Sequence, residues 1–194
     1  NRAMPELPEV ETVRLQLLYK VLNKPIAKVE VLNPKTVASN AKFPTILEGK
    51  SFSHVDRIGK LLIFSFTNEK NLFLLTHLKM TGQFFYQEKN SLSGAGHTMT
   101  ESDAKNLPNK HTRVAIYFND DSALFFNDLR KFGYMHLASA EEVARARARF
   151  GQELIDPNFD NKKFFESIQK RKTPIKATLL DQTFVAGLGN IYVD

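Results

Sequence analysis

The chain has 194 residues, of which 42% are hydrophobic, enough for one good-sized domain or two small ones around a packed core. Its net charge of +6 favours a polyanionic partner such as nucleic acid, although a solvated basic surface explains the charge alone equally well. The absence of cysteine excludes disulfides and thiolate metal sites from these residues, and no apolar run reaches the ~18 residues of a membrane span.

The front of the chain predicts a helix over residues 7–24. Pro8 suits a first helical position, and Glu9 and Glu11 lie where the helix dipole favours acids. An apolar stripe at helical spacing accompanies them, formed by Val10, Val13, Leu17 and Val21. A helix that begins here would fix the direction of the residues before it.

Several short runs rich in β-formers follow the helix, and each predicts a strand. They are residues 27–32, 60–66, 71–77, 112–118 and 122–126. Short polar connections between them favour antiparallel pairing in a sandwich or a barrel. Residues 87–110 are polar and lack periodicity, so they predict a long loop.

After about residue 137 the pattern becomes helical, and capping residues indicate three helix starts. The starts lie at Ser139 with Glu142, at Asp160, and at Thr173 with Pro174. We therefore expect an α+β, multi-domain fold. A β-rich domain would occupy residues 1–137 and a helical domain residues 138–194.

Pro5 and Glu6 give the first chemical signal. If Met4 is removed, Pro5 has a free secondary amine that can attack a sugar C1′ and form an iminium ion. The carboxylates of Glu6 and Glu9 can then move protons. As printed, residues 1–3 also precede Pro5 and would keep its nitrogen an amide, so we expect them to be a tag remnant. An ordinary helix start explains the same residues without chemistry.

Four further segments combine glycine turns with basic or apolar side chains. They are residues 57–60, 77–82, 128–133, and 170–176 with 187–190 downstream. A lysine after a turn can reach a phosphate, and a helix start can bind one through its N–H groups. Apolar loop residues can wedge between bases while an arginine fills the space of an extruded base. Each segment alone also suits an ordinary turn, core or solvated helix face.

Together these segments closely resemble the formamidopyrimidine-DNA glycosylases, bifunctional base-excision repair enzymes. Residues 5–12 look like the start of the family, and residues 57–60, 77–82, 128–133 and 187–192 follow in the expected order and spacing. The family fold is a β-sandwich with a leading helix, joined to a helix–two-turn–helix domain, with DNA in the cleft between them. The resemblance covers essentially the whole chain.

The resemblance implies a role for each candidate residue. Pro5 would be the nucleophile and Glu6 the acid/base that protonates the opened sugar. Glu9 and Lys60 would support the site, and Lys60 would also contact a phosphate beside the lesion. The residues expected to contact DNA are Met80, Arg130 and Phe132 in the space of the flipped base, Lys176 and Asn190 on phosphates, and His77.

The implied reaction removes oxidised purines, such as 8-oxoguanine or formamidopyrimidine, and cuts the strand on both sides of the sugar. The partner would be double-stranded DNA with an oxidised base or an abasic site. No cofactor is expected within these residues, because the zinc finger and the lesion-recognition loop of the family would lie beyond Asp194. A cytoplasmic monomer at the bacterial nucleoid, without a membrane partner, is the corresponding expectation. Lys79 departs from the family pattern, which has glycine there.

Three alternatives stay open. The first is a DNA- or damage-binding protein without catalysis, in which Pro5 remains an amide. The second is the endonuclease VIII branch, which prefers oxidised pyrimidines and commonly has glycine where this chain has Leu7. The third is a β-rich domain that binds RNA or ribosomes through its basic face.

Overall fold

The computed structural model describes residues 5–88, 91–95 and 106–194. Helix α1 spans Leu7–Lys20 and buries the predicted apolar stripe. It ends before the predicted residue 24, because Asn23 adopts a left-handed backbone conformation with φ of 60° and Pro25 cannot continue a helix.

Two antiparallel sheets pack face to face and confirm the predicted sandwich. The strands are β1 (Ile26–Val31), β2 (Phe52–Ile58), β3 (Leu61–Phe66), β4 (Glu69–His77), β5 (Gly82–Glu88), β6 (Ser91–Ala95), β7 (Thr112–Phe118), β8 (Ala123–Asp128) and β9 (Tyr134–Ala138). One sheet has the order β2-β3-β4-β9 and the other β1-β7-β8-β5-β6. A 3₁₀ turn at Pro34–Val37 and the short helix α2 at Phe43–Leu47 follow β1.

All five predicted strands are present, and the prediction of a loop over residues 87–110 is wrong in part. Strand β6 lies within that range and pairs with β5 from Phe84↔Ala95 to Glu88↔Ser91. Its serines and glycine carry little β signal, so the ladder with β5 determines its conformation. Residues 89, 90 and 96–105 of the predicted loop lie outside the described residues.

Aromatic side chains from both sheets fill the sandwich core. Phe64 lies at its centre, with its ring centroid 5.0 Å from Phe52 and 6.2 Å from Phe84, and Phe84 lies 5.2 Å from Phe126. All four rings are at most 1% exposed. Helix α1 contributes its apolar stripe to the same cluster, so the sandwich fixes the direction in which Pro5 and Glu6 enter the molecule.

The C-terminal part is built from short helices and a two-stranded parallel pair. Its elements are α3 (Ala140–Arg149), β10 (Gln152–Glu153), α4 (Asn161–Gln169), α5 (Ile175–Leu180), β11 (Val185–Ala186) and α6 (Asn190–Val193). The capping box of Ser139 and the Asp160 cap form as predicted. Thr173 does not cap α5, because Pro174 takes the cap position and the Thr173 hydroxyl bonds Thr178 instead, at 2.7 Å.

Charged contacts join the C-terminal part to the sandwich. Arg57 on β2 binds Glu153 on β10 through two hydrogen bonds of 2.9 and 2.8 Å, and Arg147 on α3 binds Asp56 at 2.5 Å. The predicted domain boundary after residue 137 stays a prediction. Among the residues that the structure describes, every helix is too short or too polar to span a bilayer.

Replacing Phe64 with alanine should lower the free energy of unfolding by about 3–5 kcal/mol, because the cavity left in a fully packed core does not refill. Urea denaturation followed by circular dichroism measures the loss. Phe165→Ala is the matched control: this side chain is 63% exposed, and its removal should change stability by only about 0.5 kcal/mol. Similar losses in both variants would contradict the described core.

Candidate active site

The Glu6 carboxylate is completely buried and binds the start of helix α6. Its oxygens accept hydrogen bonds from the backbone N–H groups of Gly189 at 3.1 Å, Ile191 at 2.7 Å and Tyr192 at 3.2 Å. These N–H groups have no partner inside the helix, so a carboxylate suits this position. The bonds offset the cost of removing the charge from water.

Glu9 also connects the residues around Glu6 to helix α6. One Glu9 oxygen accepts the backbone N–H of Glu6 at 2.9 Å, and the other accepts the Tyr192 hydroxyl at 2.9 Å. Pro5 lies directly before Glu6 and is buried. The two acids therefore fix the backbone next to Pro5 and connect it to α6.

Lys60 approaches this arrangement from the turn between β2 and β3. Its Nζ donates to the carbonyl oxygen of Leu188 at 3.1 Å, one residue before the glycine that binds Glu6. Burial lowers the pKa of Lys60; the Glu6 carboxylate opposes this change, and the charge of Lys79 adds to it. The structure thus brings the predicted Glu6, Glu9 and Lys60 together around one turn.

Two glycines allow that turn to form. A Cβ at Gly189 would lie 2.5 Å from Cδ of Glu6, so a side chain there would displace the carboxylate. Gly187 has φ of 103°, and a Cβ on it would lie 1.9 Å from Cδ1 of Leu7. The glycine pattern in the sequence therefore reflects close approach of the turn to the first residues of α1.

His77 lies at the end of β4 beside the same lysines. Burial, followed by the charges of Lys79 and Lys60, lowers the pKa of His77 to about 3. Its Nδ1 accepts the backbone N–H of Lys79 at 3.0 Å, and its ring centroid lies 5.8 Å from that of Tyr134. Lys79 has φ of 54°, a conformation that favours glycine, so the departure from the family pattern occurs where a glycine would fit without strain.

Met80, Arg130 and Phe132 form a second, exposed group. The Arg130 guanidinium lies 4.9 Å from the Phe132 ring centroid, and its Nη1 lies 2.9 Å from the Met80 sulfur. Met80 is 37% and Phe132 54% exposed. Two apolar side chains with an arginine between them therefore face outward together.

The buried carboxylate of Asp128 binds the backbone of the loop that carries Arg130 and Phe132. The sequence alone gave no role for this residue. It is 1% exposed and accepts the Thr81 hydroxyl as well as the backbone N–H groups of Arg130 at 3.1 Å and Gly133 at 2.7 Å. An aspartate at a strand end, five residues before a glycine, is the signal that could have indicated it.

Lys176 and Asn190 lie in the helical part. Asn190 is exposed and is the first residue of α6, next to the N–H groups that bind Glu6. Lys176 lies on α5, which contacts α6, and its ammonium pairs with the carboxylate of Asp194. The described contacts do not join Lys176 to the group around Glu6 and Lys60.

Arg57 is a supporting residue that the sequence left without a role. Its side chain is 6% exposed and binds Glu11 at 2.8 Å, Glu153, and the carbonyl of Gly59 at 2.7 Å. Hydrogen bonds from Arg14 and Arg57 lower the pKa of Glu11 to about 2. The Arg57 guanidinium therefore connects three parts of the molecule: helix α1, the turn that carries Lys60, and the C-terminal part.

Known proteins resemble the chain along almost its full length. Residues 4–135 match the family model of the formamidopyrimidine-DNA glycosylase N-terminal domain, and residues 150–194 match that of the H2TH domain. The chain is 40% identical to the formamidopyrimidine-DNA glycosylase of Ligilactobacillus salivarius, covering 98% of this chain and 64% of the relative. For the one from Mycoplasma genitalium the identity is 36%, with coverages of 98% and 62%. The chain thus spans less than two thirds of these relatives.

Solved structures give the same result. The structure of Lactococcus lactis Fpg in complex with DNA containing an abasic site matches with a TM-score of 0.81 at 34% identity, over 97% of this chain and 64% of that one. A complex of the same Lactococcus protein with DNA containing N7-benzyl-Fapy-dG also has a TM-score of 0.81, at 34% identity, over 97% and 65% of the two chains.

Replacing Gly189 with alanine should lower the free energy of unfolding by at least about 2 kcal/mol, because the added methyl group displaces a buried, hydrogen-bonded carboxylate. Urea denaturation measures the change. Gly49→Ala is the control, since Gly49 has φ of 82° but no atom within 4 Å of its added Cβ. Its cost should be only about 1 kcal/mol of backbone strain. Equal losses at the two positions would contradict the close contact with Glu6.

His77 should make the protein less stable as the pH falls. The ordinary pKa of histidine is 6.5 and the folded value is about 3, so between these values the unfolded chain binds a proton that the folded chain does not. Stability attributable to His77 is therefore complete above pH 6.5 and declines as the pH falls towards 3.

The variant His77→Gln removes this proton uptake. Urea denaturation at pH 7 and pH 5 should show a smaller loss of stability in the variant than in the wild type. Between pH 7.5 and 8.5 the two proteins should change in parallel, which provides the internal control. If the free energy of unfolding falls equally in the wild type and in His77→Gln between pH 7 and pH 5, the pKa of His77 is not lowered in the folded protein.

Proposed function

The chain belongs to the formamidopyrimidine-DNA glycosylase family, and we propose that it excises oxidised purines from double-stranded DNA and then cleaves the strand. One observation carries the proposal. The Glu6 carboxylate is buried and held by three backbone N–H groups, and it belongs to the residue after Pro5, which supports Glu6 as the proton carrier for the proposed nucleophile. The damaged DNA bound by the Lactococcus relative supports the same class of partner.

In the proposed first step the Pro5 nitrogen attacks C1′ of the damaged nucleotide. The new N–C1′ bond forms as the bond from C1′ to the base breaks; the amine gives its proton to the Glu6 carboxylate, and the departing base takes a proton from water. The nitrogen lone pair then opens the sugar to an iminium ion while Glu6 donates a proton to O4′. Pro5 must be a free secondary amine for this step.

Strand cleavage follows by elimination. The iminium ion acidifies C2′, and the Glu6 carboxylate, now deprotonated, takes the C2′ proton as the bond from C3′ to its phosphate oxygen breaks. In a second elimination C4′ loses a proton to water and the bond from C5′ to its phosphate oxygen breaks, which releases the phosphate on the 5′ side. Glu9 keeps the Glu6 backbone in place through its 2.9 Å hydrogen bond, so the same carboxylate can give and take the proton.

The remaining candidates are assigned to DNA. Lys60 and His77 would contact the DNA from the sandwich, and the Lys60 cation would bind a phosphate beside the lesion. Met80, Arg130 and Phe132 would occupy the space of the extruded base, which fits their joint exposure. Lys176 and Asn190 would bind phosphates in the helical part.

A zinc finger beyond Asp194 remains part of the proposal. The sequence has no cysteine, and within the described ranges no group of three His, Asp or Glu side chains could hold a metal. No step of the proposed reaction is derived through zinc.

Borohydride trapping on a duplex with one abasic site tests the covalent step, because reduction of the iminium ion links protein to DNA permanently. Protein that begins at Pro5 should form the adduct. The matched control, which retains residues 1–4, has an amide at Pro5 and should bind the duplex without adduct. Glu6→Gln in the chain that begins at Pro5 should slow base release and cleavage by about 100-fold or more.

Three outcomes would contradict parts of the proposal. Binding without trapping by the chain that begins at Pro5 would leave a DNA-binding protein without lyase chemistry. Faster release of an oxidised pyrimidine than of 8-oxoguanine would place the activity with the endonuclease VIII branch. Tighter binding of RNA than of abasic duplex would exclude a repair role altogether.

A further inference from the structure

We infer that Gln182 is a positioning residue of the active site: it fixes the peptide group between Leu188 and Gly189, through which Lys60 and Glu6 are held relative to each other. The assignment rests on the proposed function. Gln182 makes no described contact with Glu6 or Lys60 themselves, so it acts through the turn and not on the substrate.

The Gln182 amide spans the glycine turn that precedes α6. Its Nε2 donates to the carbonyl oxygens of Leu188 at 2.8 Å and Leu180 at 3.1 Å. Its Oε1 accepts the backbone N–H of Gly187 at 2.9 Å. One side chain therefore satisfies polar groups on both sides of a turn whose glycines have no side chain to restrict their backbone dihedral angles.

The peptide group after Leu188 connects the two proposed functional residues. Its carbonyl oxygen accepts from Gln182 and, at 3.1 Å, from Lys60. Its N–H, which belongs to Gly189, donates to Glu6 at 3.1 Å. Because a peptide group is planar and rigid, a tilt that weakens the carbonyl contacts also misdirects the N–H. By holding this peptide group, Gln182 restrains both the Lys60 ammonium and the Glu6 carboxylate.

The backbone of Gln182 is itself anchored. Its carbonyl accepts the N–H of Gly151 at 2.9 Å, directly before β10, and β10 pairs with β11. Since Arg57 also binds β10 through Glu153, the turn is positioned against the sandwich rather than against the helical part alone. Loss of the Gln182 amide should therefore loosen the turn without displacing the elements on either side.

Two substitutions separate the contacts. Gln182→Met keeps the length of the side chain and removes all three hydrogen bonds. Gln182→Glu retains the acceptor for Gly187 but sets a carboxylate oxygen against two carbonyls. On a duplex containing 8-oxoguanine, both variants should lower kcat by about 10- to 100-fold while KM changes less than about threefold, because misplacement of about 1 Å costs this much in rate.

Gln152→Met is the matched control. Gln152 lies in the same part of the chain, and its side chain accepts a backbone N–H from Asp160 at 3.2 Å, away from the turn. A similar loss of thermal stability without loss of kcat is expected for this variant. If Gln182→Met keeps kcat within about threefold of Gln152→Met and the wild type, Gln182 has only a structural role and the inference is wrong.

Gln182→Glu adds a signature that a structural role would not produce. Gln182 and Lys60 donate to the same oxygen, so their nitrogens are no more than about 6 Å apart, and a carboxylate at this distance raises the pKa of a lysine. The pH profile of kcat should therefore shift at its alkaline side in Gln182→Glu and not in Gln182→Met. Superimposable profiles would overturn the proposed coupling to Lys60.

A double-mutant cycle tests the coupling without any activity. Gln182→Met and Glu6→Gln are combined, and the urea midpoint of the double variant is compared with those of the single variants. If both side chains act through one peptide group, the double variant should lose clearly less stability than the two single losses together. Additive losses would reject the coupling even if the wild-type chain proves inactive, whereas an inactive wild type with coupled losses would reject only the proposed reaction.

Discussion

The burial of the Glu6 carboxylate is the constraint on which the rest of the site depends. An isolated charge inside a protein is costly, and in this chain the compensation comes from backbone N–H groups up to 186 positions away. Those groups are available only if the turn before α6 approaches closely, which requires glycine at position 189. Lys60 and Gln182 then meet the same turn from its carbonyl side. A single carboxylate thereby joins the start of α1 to the turn before α6, and the proposed chemistry lies where these two segments meet.

The sandwich places the exposed apolar group by its connectivity. Strand β4 ends in one sheet and β5 begins in the other, and β8 and β9 are joined in the same manner. In one sheet β4 pairs with β9, with His77 opposite Tyr134. In the other sheet β5 pairs with β8, with Gly82 opposite Asp128. The two connections must therefore lie side by side. Met80 on one and Arg130 on the other meet because both sheets constrain them, and Asp128 fixes their backbone.

Local signals predicted much of this architecture, and tertiary contacts decided the rest. The apolar stripe of α1, the Ser139 capping box and the strands rich in β-formers act over a few residues and could be predicted. Strand β6 could not, because its conformation comes from pairing with β5. The places of Gln182 and Asp128 were also hidden, since their hydrogen bonds link segments that only the fold brings together. Motif spacing indicated which segments matter but not which polar side chain supports each of them.

The contact between Glu6 and Tyr192 has a consequence for how the protein is made. Synthesis delivers residue 6 early, and at about 5–20 residues per second the N–H groups that bind it leave the ribosome many seconds later. Among the described residues, the sandwich core and the side chains packed against it come from positions up to 137, so this core can pack during this interval. In a nascent chain with a folded sandwich, water would therefore solvate the Glu6 carboxylate in place of these N–H groups. The group around Glu6 is therefore assembled after the sandwich, when the turn before α6 closes over a scaffold that already exists.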